Sequence, residues 1–319
     1  MTKGLRTYKG AVACPPYTNG PYYWDQFVAF TGGISGSNSK GKSWYVSSAS
    51  GVDTNDGRSW TTPYLTIQTA VTAASAGDTI YLQGTFTEAV TCSTSSLTFI
   101  GAGPTVQDNI WMQSATGQTL LTLTGKNCKF YNIKFYIPQT GGIGINMVAA
   151  DYTIIEGCYF QGRTGSLQAI LNNGGSHCKI IGNDFSYMNT ASTGAAILGV
   201  TYTTIPSGWE IAYNNFSGNL RHISMTIRNS FIHDNLFQAV GLGPTNASLT
   251  ATTLLDTYTG SAGNGEYNIV TRNMFQGGTY QASAGYVANA TDNWYGNKAS
   301  DVSRSSYTTA EGTTYANPA

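Results

Sequence analysis

Asp234, Arg272 and Asp292 stand at matching places in successive copies of a short motif, each three positions before an aromatic residue: Phe237, Phe275 and Tyr295. His233 lies beside Asp234. Residues of these types can break a glycosidic bond in two ways. Hydrolysis needs two carboxylates ~5–9.5 Å apart across the bond. Elimination needs a positive group against a uronate and a base such as Arg or Lys. If the motif copies stack like neighbouring strands, ~4.8 Å apart, Asp234 and Asp292 fall ~9–10 Å from each other, the far edge of an inverting pair. The same row can equally be a salt-bridged stack that keeps like charges apart, and this is the simpler reading.

Arg221, His222 and Arg228 form a second basic group ahead of the same coil. With His233 they are candidates for holding an acidic sugar, although a solvated surface accounts for them more simply. Asp53, Asn55 and Asp56 make a calcium-like loop, but the twelve-residue EF-hand pattern is missing and a plain Asx turn explains it better. His177 follows Gly174-Gly175-Ser176 and has no evident partner. No GxSxG, HExxH or Walker pattern occurs. No metal ligand set and no cofactor are expected.

These residues must be positioned by a repeat. Aligned on Phe135, Phe160, Phe185, Phe216, Phe237, Phe275 and Tyr295, the chain shows an apolar residue five places earlier: Phe130, Ile155, Ile180, Ile211, Ile232, Val270 and Ala290. Two places earlier stand Ile133, Cys158, Asn183, Asn214, Asn235, Asn273 and Asn293. A unit this short cannot bury its own apolar side chains, so the units must stack. A spacing near 20–25 residues suits one coil of three short strands and three turns. Longer spacings are insertions that map to surface loops, the longest running from Gly241 to Gly265. An inward Asn amide can satisfy backbone groups at a turn and bond to the Asn of the next rung. Asn183, Asn214, Asn235, Asn273 and Asn293 are therefore a structural ladder rather than a polar site. Phe160, Phe185, Phe216, Phe237 and Phe275 form the inner aromatic column beside it.

Composition narrows the partners. Charged residues are only 10% of the 319, with Lys+Arg and Asp+Glu balanced at 16 each. A nucleic-acid binder would show a basic excess, so none is expected as partner. No run of 18 apolar residues exists, so no membrane span is expected. Abundant Gly and Tyr with little charge suits many short strands and tight turns. Five cysteines without a CxxC pair read as small core residues in a reduced chain. The start, Met1 to Arg6, is basic without an apolar stretch behind it, so no secretory signal is expected.

Four segments follow. Residues 1–42 carry Pro15-Pro16, Tyr17, Tyr22, Tyr23, Trp24 and Phe27 and end in a Gly/Ser-rich linker, an attachment or oligomer-contact arm. Residues 43–103 hold entry strands and a short helix at Thr66–Ala74, with apolar residues at Ile67, Ala70, Val71 and Ala74. That helix would cap the open end of the solenoid. Residues 104–297 are the coils. Residues 298–319 are a cap strand or tail.

The entry segment resembles that of pectate-lyase-like parallel β-helix proteins. The residues that carry the likeness are Trp44-Tyr45-Val46, Gly51 to Gly57, Pro63 to Val71, Gly77 to Leu82 and Gly84 to Glu88. The match is close over about fifty residues, and the Asn/Phe coils extend it loosely over most of the chain. The expected fold is thus all-β: a right-handed, single-stranded parallel β-helix with a short N-terminal capping helix. The superfamily holds lyases, hydrolases, epimerases, phage tailspikes and proteins with no catalysis, so the resemblance implies fold more than activity. The arm, the low charge and the weak catalytic constellation point to a virion structural or surface-recognition subunit. Such a phage decoration, fibre or tailspike-type protein would be a homotrimer, or bound to other virion proteins through residues 1–42, with a glycan as a further partner. It would be made in the cytoplasm and placed in the virion. The alternatives are a protein left in the cytoplasm or released by lysis, and a polysaccharide lyase or glycoside hydrolase.

Overall fold

The computed structural model describes residues 41–300, apart from 164, 189–193, 200–204, 239–252, 257–266, 277–285 and 288–292. Residues 1–40 of the aromatic arm, most of the Gly241–Gly265 insertion, Asp292 and the 301–319 tail lie outside the described residues. The chain winds as a right-handed parallel β-helix with three faces. Strands of the first face include Ser43–Ser47, Lys129–Tyr131, Lys179–Ile181, Phe231–His233 and Asn293–Tyr295. The second face includes Lys134–Ile137, Asp184–Ser186, Leu236–Gln238 and Lys298–Ser300. The third includes Thr119–Leu123, Gln168–Asn173 and Arg221–Ser224. Each strand pairs in parallel with its counterpart one coil away. Within the long insertion, Thr253–Asp256 is itself a third-face strand paired with Arg221–Ser224.

Side chains of like kind stack because every coil repeats the same register. On the first face Phe130, Ile155, Ile180, Ile211, Ile232 and Val270 are Cα partners in one buried column. The column continues upstream through Trp44, Ile80 and Phe99, ahead of residue 104 where the repeat becomes readable. On the second face Trp111, Phe135, Phe160, Phe185, Phe216 and Phe237 form the aromatic column. From Phe135 onward its ring centroids are 4.8–5.0 Å apart. That is the strand spacing, so the rings lie flat on one another instead of edge to face.

The asparagine ladder lies at the turn from first face to second. Asn214 Nδ2 donates to Ile180 O at 2.8 Å and to Asn235 Oδ1 at 3.0 Å, while its Oδ1 accepts from Asn183 N and Nδ2. Asn183, Asn235 and Asn273 repeat the pattern. The last rung among the described residues is Asn297, not Asn293: Asn297 Oδ1 accepts from Asn273 N and Nδ2. Asn293 is instead the exposed first residue of a strand, paired with Ile269. The sequence alignment is therefore four residues early in this coil, because Ala299, not Tyr295, is the Cα partner of Phe275. Asn297→Ala is expected to lower unfolding free energy by about 1–3 kcal/mol, and Asn293→Ala by less than about 0.5, in urea titrations.

The residue before each ladder position turns the corner with positive φ: Asn132, Gly157, Gly182, Tyr213, Asp234, Arg272 and Gly296. A left-handed residue there redirects the chain between faces and throws its side chain outward. At the other end the helix Ile67–Ala73 buries Ile67, Ala70 and Val71 and packs on strands 43–47, 79–86 and 90–92. Thr66 caps it, and the Glu88 carboxylate accepts from Ile67 N and Gln68 N at 2.6 and 3.0 Å. Cys92, Cys128, Cys158 and Cys178 are buried free thiols, and burial pushes Cys158 and Cys178 up to about 12. Cys14 lies outside the described residues.

Candidate functional site

The left-handed corner brings Asp234 and Arg272 onto neighbouring rungs. Arg272 closes on Asp234 through two bonds, Nε to Oδ1 at 2.9 Å and Nη2 to Oδ2 at 2.6 Å. His233 Nδ1 meets Asp234 Oδ2 at 2.7 Å. The far nitrogen of that ring, Nε2, looks toward Glu210 Oε1 at 3.6 Å, beyond hydrogen-bond length. Glu210 in turn pairs with Lys179 at 2.6 Å. Lys179, Glu210, His233, Asp234 and Arg272 thus form one polar row across four rungs, with the Lys179–Glu210 and Arg272–Asp234 ion pairs on either side of the imidazole. His233 is almost enclosed, at 6% side-chain exposure, between Phe231 and the edge of Tyr213. Arg272 is 52% exposed.

Electrostatics decide what this chain can do. The Arg272 hydrogen bond, aided by His233, holds the Asp234 carboxyl below its usual range. Burial alone would raise Glu210, but Lys179 and His233 more than offset it and hold it low. Both carboxylates flanking the imidazole are therefore ionised at neutral pH. A glycosidase needs one of its pair protonated, to give the leaving oxygen its proton. Neither carboxylate is tuned for that. The guanidinium of Arg272 is occupied by Asp234 rather than held for a substrate carboxylate. Breaking the pair from its exposed side with Arg272→Ala is expected to cost under about 1 kcal/mol, an effect that shrinks further in high salt.

The corner position of the last coil is Gly296, with φ 65°, and Asp292 lies outside the described residues. The other basic candidates occupy separate stations of the coil. Arg221 opens a third-face strand, and Arg228 sits in the turn before the first face, bridged to Ser207. His222 is a correction to the binding reading. It is wholly buried, between the Phe216 and Phe237 rings, with Nδ1 3.1 Å from Asn219 Nδ2. A ligand on the outside cannot reach it. Burial lowers its pKa from 6.5 to about 3, so the fold binds this proton more weakly than the unfolded chain does. Its contribution to stability is full above pH 6.5 and is lost as pH falls toward 3, at roughly 1.4 kcal/mol per pH unit. Urea midpoints of the protein and of His222→Gln should therefore diverge less and less below pH 6.5, the variant lacking this slope.

Glu210, Lys179 and Tyr213 are the members that the motif alignment passed over. The signal was present at six places before the aromatic column, where Lys179 and Glu210 alternate in sign on adjacent rungs. The calcium-like loop serves the fold. Asp53 accepts from Leu65 N, Thr66 N and the Thr66 hydroxyl, and Asp56 from Arg58 N and the Thr62 hydroxyl. Among the described residues no three His, Cys, Asp or Glu side chains gather as metal ligands would. No described helix is long and apolar enough to cross a membrane. The third-face column Thr122, Asn146, Leu171, Leu198 and Ser224 has no ionisable residue, and its next Cα partner is Asp256.

No protein-family model matches the chain, and no curated protein matches it by sequence. Solved structures do match by shape. A GH136 lacto-N-biosidase from Eubacterium ramulus aligns over 86% of this chain and 58% of its own, with TM-score 0.60 and 11% identity. This chain thus spans little more than half of that protein. A rhamnogalacturonan lyase aligns over 81% and 74%, with TM-score 0.58 and 16% identity. The pectate lyase Pel9A aligns over 82% and 77%, with TM-score 0.52 and 14% identity. With its parallel three-faced coil, asparagine ladder and capping helix, this chain has the right-handed parallel β-helix fold that these structures share.

Proposed function

We propose that the chain is a surface-recognition subunit that holds a glycan without cutting it. The observation that carries this reading is the state of the corner row: two ionised carboxylates and a guanidinium closed on one of them, with no carboxylic acid to donate a proton. Glycan as the ligand class is supported by the names of the similar folds, pectate lyase, rhamnogalacturonan lyase and lacto-N-biosidase. It is also supported by exposed tyrosines, Tyr152, Tyr187, Tyr213, Tyr267 and Tyr295, on a coil of low charge. Incubation with a panel of polysaccharides should give retention on an immobilised glycan and no release of reducing ends or unsaturated products. Turnover that Asp234→Asn abolishes would establish the lyase or hydrolase instead.

The finer part of the proposal is a virion role, as a phage decoration, fibre or tailspike-type subunit. It rests on the composition of residues 1–42, where Tyr22, Tyr23, Trp24 and Phe27 need a surface to pack on. A homotrimer is the proposed assembly. Sedimentation of the full chain should show a trimer that Trp24→Ser with Phe27→Ser weakens; a monomer at all concentrations rejects it.

A further inference from the structure

We infer that the outer surface of the second face, around Asp184 and Asn215, is a binding site for a neutral glycan. The inference rests on the glycan-recognition reading and gives it a place. A groove of about 280 Å³ is lined there by Tyr159, Asp184, Ser186, Tyr187, Asn215 and Ser217. These residues fall in two files along the solenoid axis. Tyr159, Asp184 and Asn215 are successive Cα partners, and Ser186 and Ser217 stand beside them two residues on. Tyr187, 43% exposed and left-handed at φ 63°, forms the rim.

The polar groups of the groove are prearranged and only partly used. Asn215 Nδ2 donates to Asp184 Oδ1 at 3.0 Å. The Ser186 hydroxyl donates to Tyr159 Oη at 3.2 Å, and Lys134 lies 5.3 Å from the Tyr159 ring centroid, so that ring is held from two sides. Asn215 Oδ1 is buried and has no hydrogen-bond partner. Orphaned acceptors are uncommon in folded proteins because each costs free energy, so a ligand hydroxyl could use this one only if the Asn215 side chain turned outward. As it stands the groove offers the exposed Asp184 carboxylate, the Ser217 hydroxyl and the Tyr187 ring. A sugar presents the complement: hydroxyl donors on its edge and a C–H face for an aromatic ring. Asp184 repels a uronate, and Lys134, one rung before Tyr159 in the same file, has its ammonium on Gln107 Oε1 at 2.8 Å, which favours a neutral glycan. Rungs repeat every ~4.8 Å, close to the length of one pyranose, so adjacent rungs address adjacent sugars. The volume sits just under the ~300 Å³ at which small-molecule clefts begin, which suits a short stretch of chain.

The test is an array of immobilised cello-, xylo-, malto- and manno-hexaoses beside galacturonate hexamers, probed with the full chain and three variants. At least one neutral series should bind the parent protein. Asp184→Ala and Tyr187→Ala should each weaken that binding about ten-fold or more, since each removes a charged hydrogen bond or a ring contact. Arg272→Ala, outside the groove, should change it less than about two-fold. Both groove side chains are exposed, so unchanged melting temperatures are expected alongside. Neutral binding that survives both groove variants overturns this site and leaves the glycan-recognition reading standing. Binding to the galacturonate hexamers alone overturns the neutral class. Binding to nothing on the array overturns the site and the reading together.

Discussion

Asn214→Ala should lower the free energy of unfolding by about 3–5 kcal/mol, a large loss for one amide. The arithmetic follows from what the side chain holds. Its Oδ1 is the acceptor for Asn183 N, and its Nδ2 is the donor to Ile180 O. Alanine leaves a buried N–H and a buried carbonyl unpaired, at about 1–3 kcal/mol each. Asn183 Nδ2 keeps its bond to Ile155 O, and Asn214 N keeps Asn235 Oδ1, so the damage stays between two rungs. Asn214→Asp separates polarity from geometry. Its carboxylate would still accept from Asn183 N, but the second oxygen would face Ile180 O and Asn235 Oδ1, three acceptors with no proton among them. At neutral pH it should be at least as unstable as alanine. Acid should recover part of the loss, because a protonated carboxyl can donate where the amide did. Urea titrations of both variants across pH decide the point: an aspartate variant as stable as the parent at neutral pH would mean that the ladder is not the source of the corner's stability.

The ladder was legible because it combines two periodic signals, an amide and an apolar residue at fixed offsets. Phe160, Phe185, Phe216 and Phe237 meet at one-coil spacing in the sequence and in space. The helix at Ile67–Ala73 was legible for the same reason, with Pro63 and Thr66 marking its start. Legibility failed where a column changes residue type. Ala299 stands where an aromatic is expected, so alignment on ring side chains slid to Tyr295 and carried Asn293 and Asp292 with it. A backbone signal survived that change. Gly182-Asn183 and Gly296-Asn297 share the glycine that a left-handed corner favours, and this pair fixes the register without any aromatic residue.

The candidate site was less legible than the scaffold, for a physical reason. Charges that meet across rungs are separated by whole coils in the chain, 31 residues between Lys179 and Glu210 and 38 between Asp234 and Arg272. Their pairing depends on loop lengths that carry no periodic signal. His222 shows the converse hazard. Beside Arg221 it reads as a surface cation, yet strand alternation turns consecutive residues to opposite sides, and His222 goes inward against Phe216 and Phe237.

Phe185→Ala is the second large effect, about 4–5 kcal/mol. The ring is wholly buried and stacks on Phe160 at 4.9 Å and on Phe216 at 4.8 Å. Removing a buried Phe costs about 3–5 kcal/mol with its cavity, and two ring pairs place this one at the upper end. The cavity cannot close easily, since the parallel ladders of the flanking strands hold the rungs apart. Phe185→Leu, which fills most of the space, should cost about 1–2 kcal/mol. The double variant with Phe216→Ala should lose about 1 kcal/mol less than the sum of the single losses, because the shared stack is already gone. Strict additivity would mean that the rings are held by burial alone. The consequence reaches the surface through a single strand. Asp184 and Ser186, on either side of Phe185, face the groove proposed to take a glycan, while Phe185 anchors them to the core. Phe185→Leu should therefore weaken glycan binding without touching a groove side chain, and Phe130→Leu, two rungs away on the first face, should lose stability and keep binding.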